Sequence, residues 1–237
     1  MKEKSFTEEI AENCRRVEER IAEACVRAGR AREDVTLIGV SKTVEAERVQ
    51  AAVNAGITRL GENRVQELCE KQPQITGNPE WHLIGHLQTN KVKQVVGKVA
   101  LIQSVDSAHL AQQIEKVSAE RELVTPVLVE VNIGQEESKS GISETELPSL
   151  LTELAFCRHL SVKGLMCVPP ISDSSEKKRY YFAKMHQLFL DIRDKKLDNI
   201  DMHILSMGMS SDFEEAILEG STMVRVGTAL FGRRNYL

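Results

Sequence analysis

The 237-residue sequence predicts an α/β fold: a single-domain (β/α)8 barrel over residues 1–237 with an extra helix ahead of its first strand. Three observations carry this expectation. Short runs rich in Val, Ile, Leu and Thr alternate with amphipathic stretches from Val35 onward, the signature of repeated βα units and hence of a parallel sheet with right-handed crossovers. Eight such runs occupy about 200 residues, which suits a closed barrel better than an open sheet. Lysine, asparagine, serine and glycine gather where these runs end, as in Ser41-Lys42, Glu62-Asn63, Met207–Ser211 and Gly227-Thr228, and strand C-termini are where barrels of this kind place their chemistry.

Ser5 to Gly29 reads as an amphipathic helix, because Ile10, Cys14, Val17, Ile21, Ala24 and Ala28 recur every three or four residues. Ser5 with Glu8 forms a capping-box pattern, and Gly29 supplies a stop. The strands follow as Val35–Ser41, Ile57–Glu62, Trp81–Gly85, Ala100–Val105, Pro126–Asn132, Leu160–Cys167, Met202–Met207 and Thr222–Gly227. Helices are expected at 45–55, 63–72, 88–96, 107–121, 143–155, 175–195 and 211–219, with further capping boxes at Asp173/Glu176 and Ser211/Glu214. Only Ala229–Leu237 follows the last strand, too short for a full eighth helix. The N-terminal helix is therefore expected to cover part of the gap between the last and first strands. Two polar loops, Gly134–Gly141 and Pro169–Ser175, leave strand C-termini and are candidate lids or partner contacts, or plain solvated connections.

Composition narrows the function classes. A hydrophobic content of 41% supports a buried core, and a net charge of −4 argues against a nucleic-acid binder. The cluster Lys91, Lys93, Lys98 has no interleaved aromatics and reads as a solvated helix face. The charged N-terminus and the lack of a long apolar run predict a cytoplasmic protein without membrane contact. Five dispersed cysteines without a C-x-x-C pair indicate neither a disulfide framework nor a zinc site, although Cys167 follows a strand and so lies close to the functional face. His82 and His86 fall on a strand and a turn, a poor arrangement for metal ligands, and no metal is expected. Gly208-Met209-Ser210 lacks the second glycine of a nucleophile elbow, and no P-loop or G-x-G-x-x-G is present.

Strand alternation puts Lys42 on one face with Val40, Ile38 and Thr36. If that face is inward, the amine stands in the barrel mouth, where desolvation makes it nucleophilic toward aldehydes. An ordinary ion pair with Glu62 or Glu130 is the other reading open at this point. Arg225 interrupts an apolar strand. Val224 and Val226 suit the helix-facing side and turn Arg225 inward, where a guanidinium needs an acceptor: a carboxylate, a phosphate or a ring nitrogen. Met207–Ser211 leading into a helix, together with Gly227-Thr228, form a candidate anion cradle after strands seven and eight. Ser210 or Ser211 also suits a simple helix N-cap.

Taken together, Val40–Thr43, Gly61-Glu62-Asn63, Trp81–Gly85, Leu87-Gln88 with Asn90-Lys91, Gly164-Leu165-Met166, Leu205–Ser210, Gly220–Met223 and Arg225–Thr228 with Phe231-Gly232 form an ordered set from Val35 to Gly232. This set resembles that of the pyridoxal phosphate homeostasis proteins, the single-domain relatives of alanine racemase. The resemblance implies a fold-type III barrel that binds pyridoxal 5′-phosphate (PLP), with Lys42 as the Schiff-base lysine. It further implies that Ser210, Gly227 and Thr228 hold the phosphate, that Arg225 faces the pyridine nitrogen, and that Asn63 and Met166 lie beside the cofactor. Arg64 stands where the family usually has tyrosine, which affects a rim contact.

The resemblance also implies a carrier in intracellular PLP homeostasis rather than an enzyme, a monomer or weak dimer, with PLP-dependent apoenzymes as candidate recipients. Nothing in the sequence encodes the additional β-domain of the racemases, and an arginine at the ring nitrogen weakens the cofactor as an electron sink. A PLP-dependent amino-acid racemase or lyase is the alternative. It needs a second acid/base in the mouth, and no tyrosine ends a strand to supply one.

Overall fold

The computed structural model describes residues 5–136 and 138–232. Eight parallel strands close into a barrel in sequential order: β1 (Thr36–Val40), β2 (Arg59–Glu62), β3 (Glu80–Leu83), β4 (Leu101–Val105), β5 (Thr125–Glu130), β6 (Leu160–Met166), β7 (Ile200–Met209) and β8 (Met223–Val226). Closure is made by β8 against β1, with Ile38 beside Arg225. The helices are α1 (Phe6–Arg27), α2 (Ala46–Asn54), α3 (Val65–Lys71), α4 (Val92–Val95), α5 (Ala108–Glu120), α6 (Leu147–Ala155), α7 (Ser175–Asp194), α8 (Phe213–Leu218) and α9 (Thr228–Phe231).

Two apolar compartments follow from strand alternation. The larger lies between strands and helices and takes the outward residues, such as Leu37, Leu60, Ile102, Val127, Leu165, Leu205, Val224 and Val226. The smaller fills the barrel with Ile38, Leu101, Leu128, Met166 and Met223. The inward turn expected for Arg225 is thus what the strand adopts.

α1 begins with the expected reciprocal cap. The Glu8 amide donates to Ser5 Oγ at 3.3 Å, and the Ser5 amide donates to Glu8 Oε2 at 3.1 Å. It buries Ile10, Cys14, Val17, Ile21, Ala24 and Cys25, and ends before Gly29 at φ +67°. The helix lies on α2, α8 and α9, across the seam between the last and first strands. Asn13 Nδ2 donates to the Leu230 carbonyl at 3.0 Å, and Arg20 pairs with Glu214 at 2.9 Å. The short final helix is therefore supplemented as the sequence suggests.

Several local expectations are corrected. α7 is capped by Ser174, whose hydroxyl accepts from the Lys177 amide, rather than by Asp173. At α8 the N-cap position is Asp212, not Ser211, and its carboxylate reaches back to accept from the Met209 amide at 2.6 Å. The expected helix 88–96 divides into a 3-10 turn, Thr89–Lys91, and the single turn α4. α6 starts only at Leu147, because the Ser143 hydroxyl first closes a turn by accepting from the Glu146 amide.

Candidate functional site

A cavity of about 720 Å³ opens at the C-terminal end of the barrel, lined by Val40, Lys42, Asn63, Ile84, Val168, Met209, Ser210, Ser211, Arg225, Gly227, Thr228 and Ala229. Six of the seven candidate residues, Lys42, Asn63, Ser210, Arg225, Gly227 and Thr228, meet there. The seventh, Met166, is fully buried in the apolar layer inside the barrel with Ile38 and Leu128, and does not line the cavity. Val168, two residues further along the chain, does.

Lys42 owes its position to its neighbours. Ser41 Oγ donates to Glu62 Oε1 at 2.7 Å, and the Ser41 carbonyl accepts from Lys71 Nζ at 2.6 Å. Lys71 Nζ also donates to Glu62 at 2.9 Å and Glu67 at 2.6 Å, while the Thr43 amide donates to the same Glu67 oxygen. Thr43 is held at φ +58°, a left-handed conformation that costs a β-branched residue on the order of 1–3 kcal/mol and persists only where surroundings enforce it. The clamp sits behind the barrel wall, so the chain is fastened on both sides of Lys42 while its side chain enters the cavity. Glu62 is fully buried, and burial pushes its carboxyl above the usual range, against the opposing pull of Lys71 and Ser41.

This arrangement leaves the ion-pair reading of Lys42 without its two expected partners. Glu62 is engaged by Lys71, and Glu130 accepts from Ser140 Oγ at 2.8 Å. Among the described residues no carboxylate pairs with Lys42.

Arg225 is 4% exposed. One guanidinium nitrogen donates to Ser206 Oγ at 2.6 Å and another to the Cys167 carbonyl at 2.8 Å. No carboxylate among the described residues lies within ion-pair distance of it. Burial lowers its pKa from the ordinary value, with Cys167, Glu130 and Asp212 opposing the change. A guanidinium carries five N–H donors, so two bonds leave others for a ligand. The thiol of Cys167 is fully buried and pushed up to about 12, which makes it inert; the carbonyl is the part that serves the site.

The cradle is built from β7, β8 and α9. Gly208 at φ +92° lets β7 bend over α8, where an added Cβ would lie 2.6 Å from the Ala216 Cβ and 2.9 Å from the Phe213 Cα. The bend presents Ser210, whose Oγ accepts from the Gly227 amide at 3.1 Å and the Ala229 amide at 3.3 Å. Ser210 is thus not the cap of α8; its oxygen instead meets two backbone N–H groups at the start of α9. Asn63 approaches from β2, its backbone lying so close to Gly85 that an added Cβ there would sit 2.5 Å from the Asn63 carbonyl oxygen.

Other candidates lie elsewhere. His82 is buried against Gln103, whereas His86 is exposed, 3.3 Å from Asp106, beside a separate cavity of about 460 Å³. No group of three or more potential metal ligands occurs among the described residues. The two polar loops touch, with Lys139 Nζ donating to the Pro169 carbonyl at 2.9 Å.

A barrel of this topology with a lysine after β1 that lines the cavity, and two backbone amides converging after β7 and β8, defines a class. The model of the family described as "Alanine racemase, N-terminal domain" matches residues 7–235, and the chain belongs to that family. Within it, the chain is 45% identical over 226 residues to the pyridoxal phosphate homeostasis protein of Aquifex aeolicus, covering 95% of this chain and 98% of the relative. The fold is similar to that of PipY of Synechococcus elongatus, solved with PLP bound, at 32% identity and a TM-score of 0.80, covering 91% of this chain and all of that one. An unknown protein from Bifidobacterium adolescentis is similar at 34% identity and a TM-score of 0.92, with 98% of each chain covered.

Proposed function

We propose that this chain binds PLP in the cavity at the C-terminal end of the barrel and serves intracellular PLP homeostasis, with Lys42 as the covalent anchor. The observation that carries the reading is the donor set facing one cavity: an amine that no carboxylate among the described residues pairs with, two convergent backbone N–H groups, and a buried guanidinium with donors to spare. That set fits a phosphorylated pyridine aldehyde. When bound, PLP supplies an aldehyde that a primary amine captures as a Schiff base with loss of water.

The chain's residues divide the remaining work. Gly227, Ala229 and Ser210 receive the phosphate, with Thr228 adding a hydroxyl. Arg225 donates toward the ring nitrogen, and as a cation it opposes protonation there. Asn63, Ile84 and Val168 bound the ring, and Met166 supports that wall from below. The names of the relatives and the PLP in PipY support this reading.

Holding rather than turnover is the favoured role. No tyrosine, histidine or carboxylate among the described residues lines the cavity with Lys42, so a partner acid/base for racemisation or lysis is not at hand. A cytoplasmic location and PLP-dependent apoenzymes as recipients belong to the same proposal. Among the described residues no helix is long and apolar enough to cross a membrane.

The test is a visible spectrum of the purified protein mixed with PLP, repeated on Lys42→Ala. The parent is expected to show the yellow absorbance of a lysine-bound cofactor and to retain it covalently after borohydride; Lys42→Ala is expected to do neither. Identical spectra from the two proteins overturn the anchor. Sustained isotope exchange at the α-carbon of a panel of amino acids would replace holding with catalysis.

A further inference from the structure

Arg225 is the upper end of a polar chain that crosses the barrel interior. Arg225 donates to Ser206 Oγ at 2.6 Å, Ser206 Oγ to Gln103 Oε1 at 2.7 Å, and Gln103 Nε2 lies 2.9 Å from His82 Nδ1. Ser206 and Gln103 are fully buried and His82 is 3% exposed. His82 faces a third cavity, of about 410 Å³, at the N-terminal end of the barrel with Arg59, Glu80 and Lys163. The four side chains come from β8, β7, β4 and β3, so they tie together distant staves of the barrel.

The bonds of this chain run in one direction from Arg225. A guanidinium only donates, so Ser206 Oγ accepts and its own hydrogen points to Gln103. The Gln103 amide in turn presents oxygen to Ser206 and nitrogen to His82 and to the Met223 sulfur, an acceptor that suits only the nitrogen end. His82 Nδ1 has to accept, which fixes a neutral ring with its hydrogen on Nε2. Burial, helped by the charge of Arg59, lowers the pKa of His82 to about 4, in keeping with a neutral ring. Polar groups placed in a barrel core are costly unless fully bonded, and a single carboxylate would have satisfied Arg225 more simply. A neutral support leaves the guanidinium without an ion-pair partner among the described residues, with only the longer-range pull of Glu130 and Asp212.

We propose that Gln103 and Ser206 are positioning residues, which set the angle of the Arg225 guanidinium at the cofactor's ring and fix the tautomer of His82 at the opposite end of the barrel. The ring contact rests on the PLP reading above; the tautomer does not.

Two measurements separate these parts. In protein without PLP, nitrogen-detected correlation spectra at neutral pH are expected to show His82 with hydrogen on Nε2. Gln103→Glu keeps the acceptor for Ser206 but removes the donor to His82, so the ring is expected to move its hydrogen to Nδ1. His82 carrying hydrogen on Nδ1 in the parent, or an unchanged tautomer in Gln103→Glu, overturns the chain even if PLP binds as proposed.

In PLP-loaded protein, Gln103→Met and Ser206→Ala are expected to keep the borohydride-trapped bond to Lys42. They should nevertheless shift the visible maximum and speed PLP release about 2- to 10-fold, the equivalent of one hydrogen bond. Ser206→Thr restores the hydroxyl and should restore the parent spectrum. If Gln103→Met and Ser206→Ala lower the melting temperature but leave spectrum and release rate at parent values, the pair is merely structural and positioning is wrong. A parent that binds no PLP defeats the functional reading while the tautomer experiment still tests the relay.

Discussion

Lys71→Met tests the clamp behind Lys42. Lys71 is 7% exposed and Glu62 fully buried, with Nζ 2.9 Å from the carboxylate. The second oxygen of Glu62 is buried with no hydrogen-bond partner among the described residues, so removing the ammonium leaves Ser41 as the one described side chain still bonded to the carboxylate. Breaking a buried pair in this way costs about 3–5 kcal/mol. For a chain of this size about 2–4 °C of melting temperature follows each kcal/mol, so a fall of about 6–20 °C is expected.

The sign of the pH effect is fixed by Glu62, whose folded pKa already lies above its unfolded value through burial and rises further without Lys71. Between the unfolded and folded pKa values the native state binds more protons, so this group's contribution is fully present below the unfolded pKa and is lost as pH rises through the folded one. The deficit of Lys71→Met should therefore be largest at pH 8 and shrink toward pH 5. Glu62→Gln combined with Lys71→Met should recover at least half of it at pH 8. The assay is thermal unfolding by circular dichroism at both pH values. A variant melting within 2 °C of the parent at pH 8, or a deficit that does not change with pH, refutes the reasoning.

Three further outcomes are expected. Gly208→Ala forces a Cβ to 2.6 Å from Ala216 at φ +92° and should destabilise by about 1–3 kcal/mol, with weaker PLP binding; calorimetric unfolding alongside a PLP titration checks both. Ile21→Ala, at a fully buried site of α1, should cost about 2–5 kcal/mol in denaturant unfolding, and deletion of residues 1–28 should cost more; a deletion as stable as the parent would remove α1 from the barrel's support. Cys14 and Cys167, pushed up to about 11 and about 12 by burial, should resist a thiol reagent at pH 8 until the protein unfolds, whereas the half-buried Cys69 and Cys157 should react in the native state, as mass spectrometry of labelled peptides would show.

The barrel is legible in the sequence because a parallel strand buried on both faces needs a short apolar run, and eight such runs recur in phase. Lys42 and Arg225 are legible for the same reason, as charges that interrupt those runs. The supports behind them are less so. Lys71 reads as one more charge on a helix, since nothing local shows that its turn faces Glu62. Gln103 and Ser206 do carry a signal, being polar residues at inward positions of β4 and β7, but their partners lie on other strands and only barrel closure brings them together. His82 belongs to the same group; considered as a metal ligand it fails, and its partner is an amide 21 residues away. The misplaced caps of α7 and α8 differ by one residue: at α7 the Ser174 hydroxyl takes the Lys177 amide, and at α8 Asp212 holds the Met209 amide in the preceding turn, so the helix starts one residue later.

The serine hydroxyl between the Gly227 and Ala229 amides has a consequence for traffic through the site. Those amides hold an acceptor already, so in the proposed binding mode an arriving phosphate displaces a resident oxygen instead of finding bare donors, and a departing one is replaced at once from within. In that proposed mode Ser210 acts as an intramolecular competitor. It tempers affinity by lowering the net gain in hydrogen bonds, leaving charge and the covalent link to set the strength of the grip. For a protein whose proposed task includes giving its cargo away, a latch that closes on itself makes unloading easier than a rigid pocket would.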